Sequence, residues 1–209
     1  RPRRGSWAGQ RGGGRGAGAE GVWGESSEIA FRWNGEREGE GYDKVVNEIW
    51  HGRLEIDARL GLVPERTWRV RYRLAGWISV PTKVQHIPTL TIALGPFGDI
   101  VNYGAAGIYL SWYPSGLVGR SSDLRPPDWE AAFSTEARHE IGRKSYARLA
   151  NLCPALESLD VREETMTSIG GNIFAWGAAD IDRPESELHS RYEIGIHSVG
   201  NYHSVNTGK

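Results

Sequence analysis

The residues able to do chemistry in this chain are few and loosely patterned. His197 and His203 stand six apart and flank a turn at Val199-Gly200-Asn201, so across a hairpin they could face each other as metal ligands. A third ligand would come from Asp180 or Asp182, and the spacing matches no recognised metal motif. The competing reading is two polar residues at a strand edge. Asp180 and Asp182 read either as a general acid/base pair or as a turn, Asp-Ile-Asp-Arg-Pro, whose carboxylates cap backbone amides. No Gly-x-Ser-x-Gly is present to support a nucleophilic serine. Tyr109, Trp112 and Tyr113 share one apolar stretch. In a strand Tyr109 and Tyr113 share a face with Ser111, and Trp112 points the other way. That face is either packed core or the wall of a flat, aromatic-lined pocket. Arg71, Arg73 and Arg120 are candidates for a carboxylate clamp, although no motif marks them. No residue is singled out as catalytic. No P-loop is present, and the part expected to fold has no Gly-x-Gly-x-x-Gly after a strand.

Composition bounds what can position these residues. The chain has 209 residues, 39% apolar and 24% charged, enough for one core and a little more. A net charge of -1 excludes binding to nucleic acid through bulk positive charge. The single cysteine, Cys153, excludes an intramolecular disulfide and a cysteine-based zinc cluster. No apolar run approaches the ~18 residues that suggest a membrane span, and the basic N-terminus lacks the apolar stretch of a signal peptide. The expected compartment is therefore the cytoplasm. Nine Trp, eight Tyr and four Phe favour strands and aromatic-lined cavities.

Residues 1 to 24 differ from the rest: nine glycines, five arginines, one acid and no apolar period. They are expected to form a disordered Arg/Gly-rich tail, read either as an arm that touches RNA or as sequence from outside the native coding frame. Beyond them, Ser27 to Trp33 reads as a strand running into the hairpin dipeptide Asn34-Gly35. Val45-Val46-Asn47 reads as a short buried strand with a polar tip. Thr67 to Val80 alternates apolar and basic residues, which predicts a long strand with one wet face, ended by Pro81. Thr89–Leu94, Asp99–Tyr103 and Ile108–Tyr113, joined by Gly-rich turns, predict an antiparallel meander. Ser134 is a plausible N-cap for a helix whose apolar period runs to Leu152, before Pro154. Thr165 to Trp176 reads as extended, broken at Gly170-Gly171. After a loop over residues 177 to 190, Tyr192–Ile196 and Tyr202–Val205 are two further strands. The pattern is α+β, an antiparallel sheet with one helix face.

Several stretches resemble the FAD-dependent oxidoreductases of the D-amino-acid oxidase superfamily. They are Tyr42 to Leu54 (Tyr-Asp-Lys-Val-Val-Asn-Glu-Ile-Trp-His-Gly-Arg-Leu), Leu94 to Asp99, Tyr109 to Gly116, Gly171 to Asp182, and Tyr202 to Lys209. The resemblance implies an antiparallel β-meander substrate domain with a flanking helix, inserted in remnants of an FAD-binding α/β domain. Residues 25 to 66 would be a partial FAD-binding domain, 67 to 167 the substrate domain, and 168 to 209 the return to the FAD-binding domain. It implies FAD as cofactor, lined by Val46, Asn47, His203, Thr207 and Gly208. A small-molecule substrate, an amine or amino-acid-like compound oxidised by hydride transfer to flavin, would meet Tyr109, Tyr113 and Trp176. The pattern departs after Asn47, where Glu48-Ile49-Trp50-His51 replaces the family's small residues and glycine. The family's N-terminal nucleotide-binding unit has no counterpart in the chain. The expectation is accordingly a partial chain that binds FAD weakly or not at all. No nucleic-acid or membrane partner is expected, and the oligomeric state is open. The alternatives are a non-enzymatic β-rich binding or interaction module and an inactive translated fragment.

Overall fold

The computed structural model describes residues 44–64, 66–80, 84–93, 96–159, 161–162, 165–180, 183, 186 and 195–206, and the backbone alone over 19–25, 28–33 and 36–38. The fold is α+β with three sheets.

The first sheet is β1 (Ala19–Glu25), β2 (Glu28–Trp33) and β3 (Glu36–Glu38), all antiparallel in the order β1-β2-β3. The β2–β3 pairing is the hairpin expected around Asn34-Gly35, two residues that themselves lie outside the described set. The expectation of a disordered tail over 1 to 24 fails from Ala19 onward, because those residues form a ladder with β2 despite their glycines. The backbone supplies ladder donors and acceptors whatever the side chains, and β2 provides them with a template. Residues 1 to 18 lie outside the described set.

β4 (Val45–Asn47) is the expected short strand. A 3-10 turn at Trp50–Gly52 leads into α1 (Arg53–Arg59). The sequence reading missed α1, although its i,i+4 pairs Arg53–Asp57 and Glu55–Arg59 are a helical signal.

The main sheet begins with β5 (Trp68–Ile78) and continues with β6 (Leu90–Ile92), β7 (Gly98–Asn102) and β8 (Ile108–Trp112). After a single helical turn, α2 (Tyr113–Gly116), β9 (Leu117–Ser121) returns to β5. The short α3 (Trp129–Ala132) and the long α4 (Thr135–Ala150) follow. Ser134 caps α4 as expected, its Oγ accepting from the Ala137 amide at 3.2 Å. The last strand of this sheet is β10 (Met166–Trp176). The order is β10-β5-β8-β7-β6, with β9 on the same edge of β5 as β8. The expected meander is present as β6, β7 and β8, sequential antiparallel neighbours.

Two expectations are corrected here. β10 is unbroken at Gly170-Gly171, which pair in register with Leu74 and Arg73. Gly170 is required because a Cβ there would overlap the Tyr72 hydroxyl. The domain boundary expected after residue 167 therefore falls inside one continuous strand. Nor is the basic face of β5 simply wet, since Arg71 is 1% exposed.

One face of this sheet carries Ile78, Ile100, Ile108, Leu110 and Met166, which pack with Leu149 and Ala150 of α4 and with Leu156. Gly76 and Gly142 let β5 and α4 approach closely, a Cβ on Gly76 lying 3.4 Å from the Gly142 Cα. The other face holds Arg69, Arg71, Arg73, Ala75 and Trp77 of β5.

The third sheet adds β11 (Gly195–Val199) and β12 (Tyr202–Asn206) in the order β11-β12-β4. β12 runs parallel to β4 and antiparallel to β11. Val45 and Tyr202 pack on Ile56 of α1.

Candidate functional site

Two places collect polar chemistry. The first lies at the C-terminal ends of the parallel strands β4 and β12. Asn47, expected to line a cofactor, is 4% exposed and its carboxamide is fully occupied within the protein. Its Nδ2 donates to the Arg53 carbonyl at 3.1 Å and to Asp57 Oδ1 at 3.2 Å, and stands 2.6 Å from the Tyr202 hydroxyl. Its Oδ1 accepts from the Ile49 amide. Asp57 also accepts from Tyr202 at 2.6 Å and from Ser204 at 2.8 Å. Burial pushes the Tyr202 phenol up, and the hydrogen bond to Asp57 pushes it the same way. This network ties α1 to both parallel strands and faces the small core, so the polar tip read from the sequence is structural.

Beside it lies a cavity of about 220 Å³ lined by Glu48, Trp50, Arg53, Phe174 and Val205. Trp50 holds φ at +31°, the left-handed region that suits glycine. A cavity of this size is below the usual ~300–1,000 Å³ of ligand pockets and far below a whole dinucleotide. This cavity by itself does not hold a whole dinucleotide. Thr207 and Gly208, expected at the cofactor, lie outside the described set. Val46 is exposed on the sheet face opposite Asn47. His203 shares that face, and its Nδ1 is 2.8 Å from Ser198 Oγ. His197 pairs with Ser204 and His203 with Ser198, so the two imidazoles point to opposite faces. They cannot be the facing metal ligands considered from the sequence.

The second place is the face of the main sheet away from α4, where Arg71, Ala75, Ser111 and Tyr113 are buried. Tyr109, Ser111 and Tyr113 share this face, as alternation predicts. Tyr113 is buried against Ala175, with Phe97 and Leu117 alongside. Arg71 Nε donates to Asp180 Oδ1 at 2.7 Å and Arg120 Nε to Asp180 Oδ2 at 2.8 Å. Burial of Asp180 opposes its charge, but these two guanidiniums hold its carboxyl below the usual range. Asp180 is therefore a clamp between strands rather than a general base, and Asp182 lies outside the described set. Arg73 stands with its guanidinium 4.8 Å from the Tyr113 ring centre and donates to Ser111 Oγ. Its Nε is buried without a hydrogen-bond partner, and among the described residues it has no carboxylate partner.

Trp176 is not part of this face. In register it pairs with Trp68, and it packs with Phe174, Leu54 and Val70 on the opposite side of the sheet. The Arg53 guanidinium lies 5.8 Å from its ring. The strand period separates it from Tyr109 and Tyr113, a separation that only the unbroken β10 reveals. Among the described residues no three His, Cys, Asp or Glu side chains converge on a metal position. No helix of the described residues is long and apolar enough to cross a membrane.

No family model matches the chain, and no curated protein matches it. Among solved structures it is similar to L-proline dehydrogenase from P. horikoshii, at 14% identity and a TM-score of 0.50 over 90% of this chain and 43% of that one. It is also similar to an FAD-dependent oxidoreductase from Pseudomonas aeruginosa, at 14% identity and a TM-score of 0.41 over 90% of this chain and 47% of that one. The chain thus spans less than half the length of either protein. At such identity the first likeness speaks for the fold alone.

Proposed function

We propose that the chain is the substrate-binding part of an FAD-dependent oxidoreductase of the D-amino-acid oxidase kind, acting on a small amine or amino-acid-like substrate. The observation that carries the reading is Arg73: a cation without a carboxylate partner among the described residues, set over the Tyr113 ring on the sheet face away from α4. Such a group suits a substrate carboxylate, which a guanidinium receives in a planar fork. The fold likeness to L-proline dehydrogenase supports the reaction class, and on this reading an imino acid such as proline is one candidate substrate. The chain's own share is to hold the carboxylate, orient the carbon–nitrogen bond and exclude water. FAD belongs to the whole protein on this reading, because the cavity beside β4 is too small to hold it.

Calorimetric titration of the purified chain with small amino and imino acids tests the proposal. Saturable binding that Arg73→Gln weakens at least tenfold is the expected result. A folded chain that ignores every carboxylate offered would overturn it. A parallel titration with FAD, followed by flavin fluorescence, is expected to show no saturable binding at micromolar concentrations.

A further inference from the structure

We propose that two copies of this chain pair through the free edge of β10, antiparallel across a two-fold axis at Gly171, so that one sheet runs through both.

β10 ends the main sheet. It pairs with β5 over its whole length and, among the described residues, with no strand on its other side. The ladder ends fix which backbone groups are used. The Ser79 amide donates to the Thr165 carbonyl at 2.8 Å, and the Gly177 amide to the Thr67 carbonyl at 2.9 Å. Both are hydrogen-bonded rows of an antiparallel pair, and the register between them is unshifted. Odd-numbered residues of β10 are therefore bonded to β5, whereas Ser168, Gly170 and Asn172 turn their amides and carbonyls to the outer edge. Among the described residues those backbone groups meet no partner. Natural edges are guarded by charge, proline, a bulge or shortness. The strand at the other end of this sheet, β6, has only three residues. β10 is eleven residues long, without a bulge, a charged residue or a proline. Thr167, Ile169, Gly170 and Gly171 are exposed.

The strand is self-complementary about Gly171. With Gly171 opposite its own copy, Gly170 stands opposite Asn172 of the second copy and exchanges both ladder bonds with it. Ile169 then lies opposite Ile173 on each side of the axis, on the face that Gly171 shares. Sliding the register by two residues in either direction sets an isoleucine against Gly171 instead. Gly171 itself takes a row without hydrogen bonds, where opposed Cα atoms approach to about 4.5 Å. Within the single chain this glycine is demanded neither by crowding nor by a positive φ, since a Cβ there would meet nothing. Close approach of a second backbone gives it a reason.

The mass of the purified full chain, followed by light scattering over a dilution series, tests the pairing. A dimer that dissociates on dilution is expected, and nothing larger, because pairing uses up the edge. Gly171→Lys and Gly171→Glu each place like charges directly opposite at the axis, which opposes pairing, and in the single chain their side chains enter open space. Each alone should be monomeric where the wild type is dimeric, with unchanged circular dichroism. Mixed in equal amounts, the two variants should dimerise again, which also shows that both are folded. Gly171→Cys should cross-link the dimer on mild oxidation, whereas the wild type, whose single thiol at Cys153 is buried, should not. A wild-type chain that is monomeric at every concentration, or that forms open-ended polymers, overturns the inference. A charged variant that dimerises like the wild type, or a mixture that stays monomeric, overturns it as well.

Discussion

Asp57 gathers hydrogen bonds from three side chains on two strands. It receives Tyr202, Ser204 and Asn47, and Arg53 Nε lies 3.7 Å away, with both charged side chains nearly buried. Removing one partner of such a pair leaves the other charge without compensation, which typically costs about 3–5 kcal/mol. Asp57→Ala is therefore expected to lower the urea midpoint strongly. Tyr202→Phe, which removes one donor, should cost about 1–2 kcal/mol. A small effect from Asp57→Ala would mean that water already screens the cluster. His51 gives a pH signature. Burial holds its pKa below the ordinary value, so the folded ring is neutral and its Nε2, 3.2 Å from Asn172 Nδ2, acts as acceptor. The unfolded chain takes up a proton near pH ~6.5, so the unfolded state is favoured as pH falls from there through the lower folded pKa. His51's contribution is present above pH ~6.5 and lost below it. Unfolding free energies measured between pH 7 and 5 should fall more steeply for the wild type than for His51→Gln. The sequence showed Asn47 as a polar tip but not its purpose, because the partners Asp57 and Tyr202 stand ten and 155 residues away.

At the scale of elements, the two adjacent glycines of β10 have different roles. Gly170 faces the helix side, where a Cβ would run into Tyr72, whose ring stacks on Trp129 and Phe133 at 5.6 and 6.4 Å. Burial and the hydrogen bond to Glu130 push that phenol up to about 12, so Tyr72 remains a donor to Glu130 across the ordinary pH range. Gly170→Ala should cost about 1–3 kcal/mol by overpacking. Gly171→Ala should be nearly neutral, since its Cβ meets nothing. Equal costs for the two, measured by chemical denaturation, would show that strand propensity rather than crowding decides. The pair read as a break in the sequence because glycine weakens strands in general, and the contact that makes Gly170 necessary involves a residue 98 positions earlier. Local signals performed better. The Ser134 cap and the turns of the meander were visible because their partners lie within a few residues. Ser134→Ala is expected to cost about 1 kcal/mol.

Over the whole molecule, stability should be unevenly distributed. The main sheet has α4 across one face and a core of fully buried Leu and Ile side chains. The β11-β12-β4 sheet is three short strands on one short helix. Its parallel pair would ordinarily be covered on both faces, yet Val46 is 56% and Ile196 65% exposed on the side away from α1. The sheet depends instead on the Asp57 network, a polar arrangement whose net stabilisation is smaller than that of a dry core of similar size. This division was partly legible. The apolar β-branched strands of the meander and the apolar period of α4 announce a core, whereas Val45-Val46-Asn47 reads as buried on both faces until the structure shows Val46 in the open. Native-state amide exchange gives the decisive comparison. Amides of β5, β8 and α4 should exchange only through global unfolding. Those of β4 and β12 should exchange through a smaller opening, with a lower free energy and a weaker denaturant dependence. Asp57→Ala should then lower protection in β4 and β12 far more than in β5. Uniform protection across both sheets, falling together in the variant, would instead make the molecule one cooperative unit in which the small sheet is as firmly held as the main sheet.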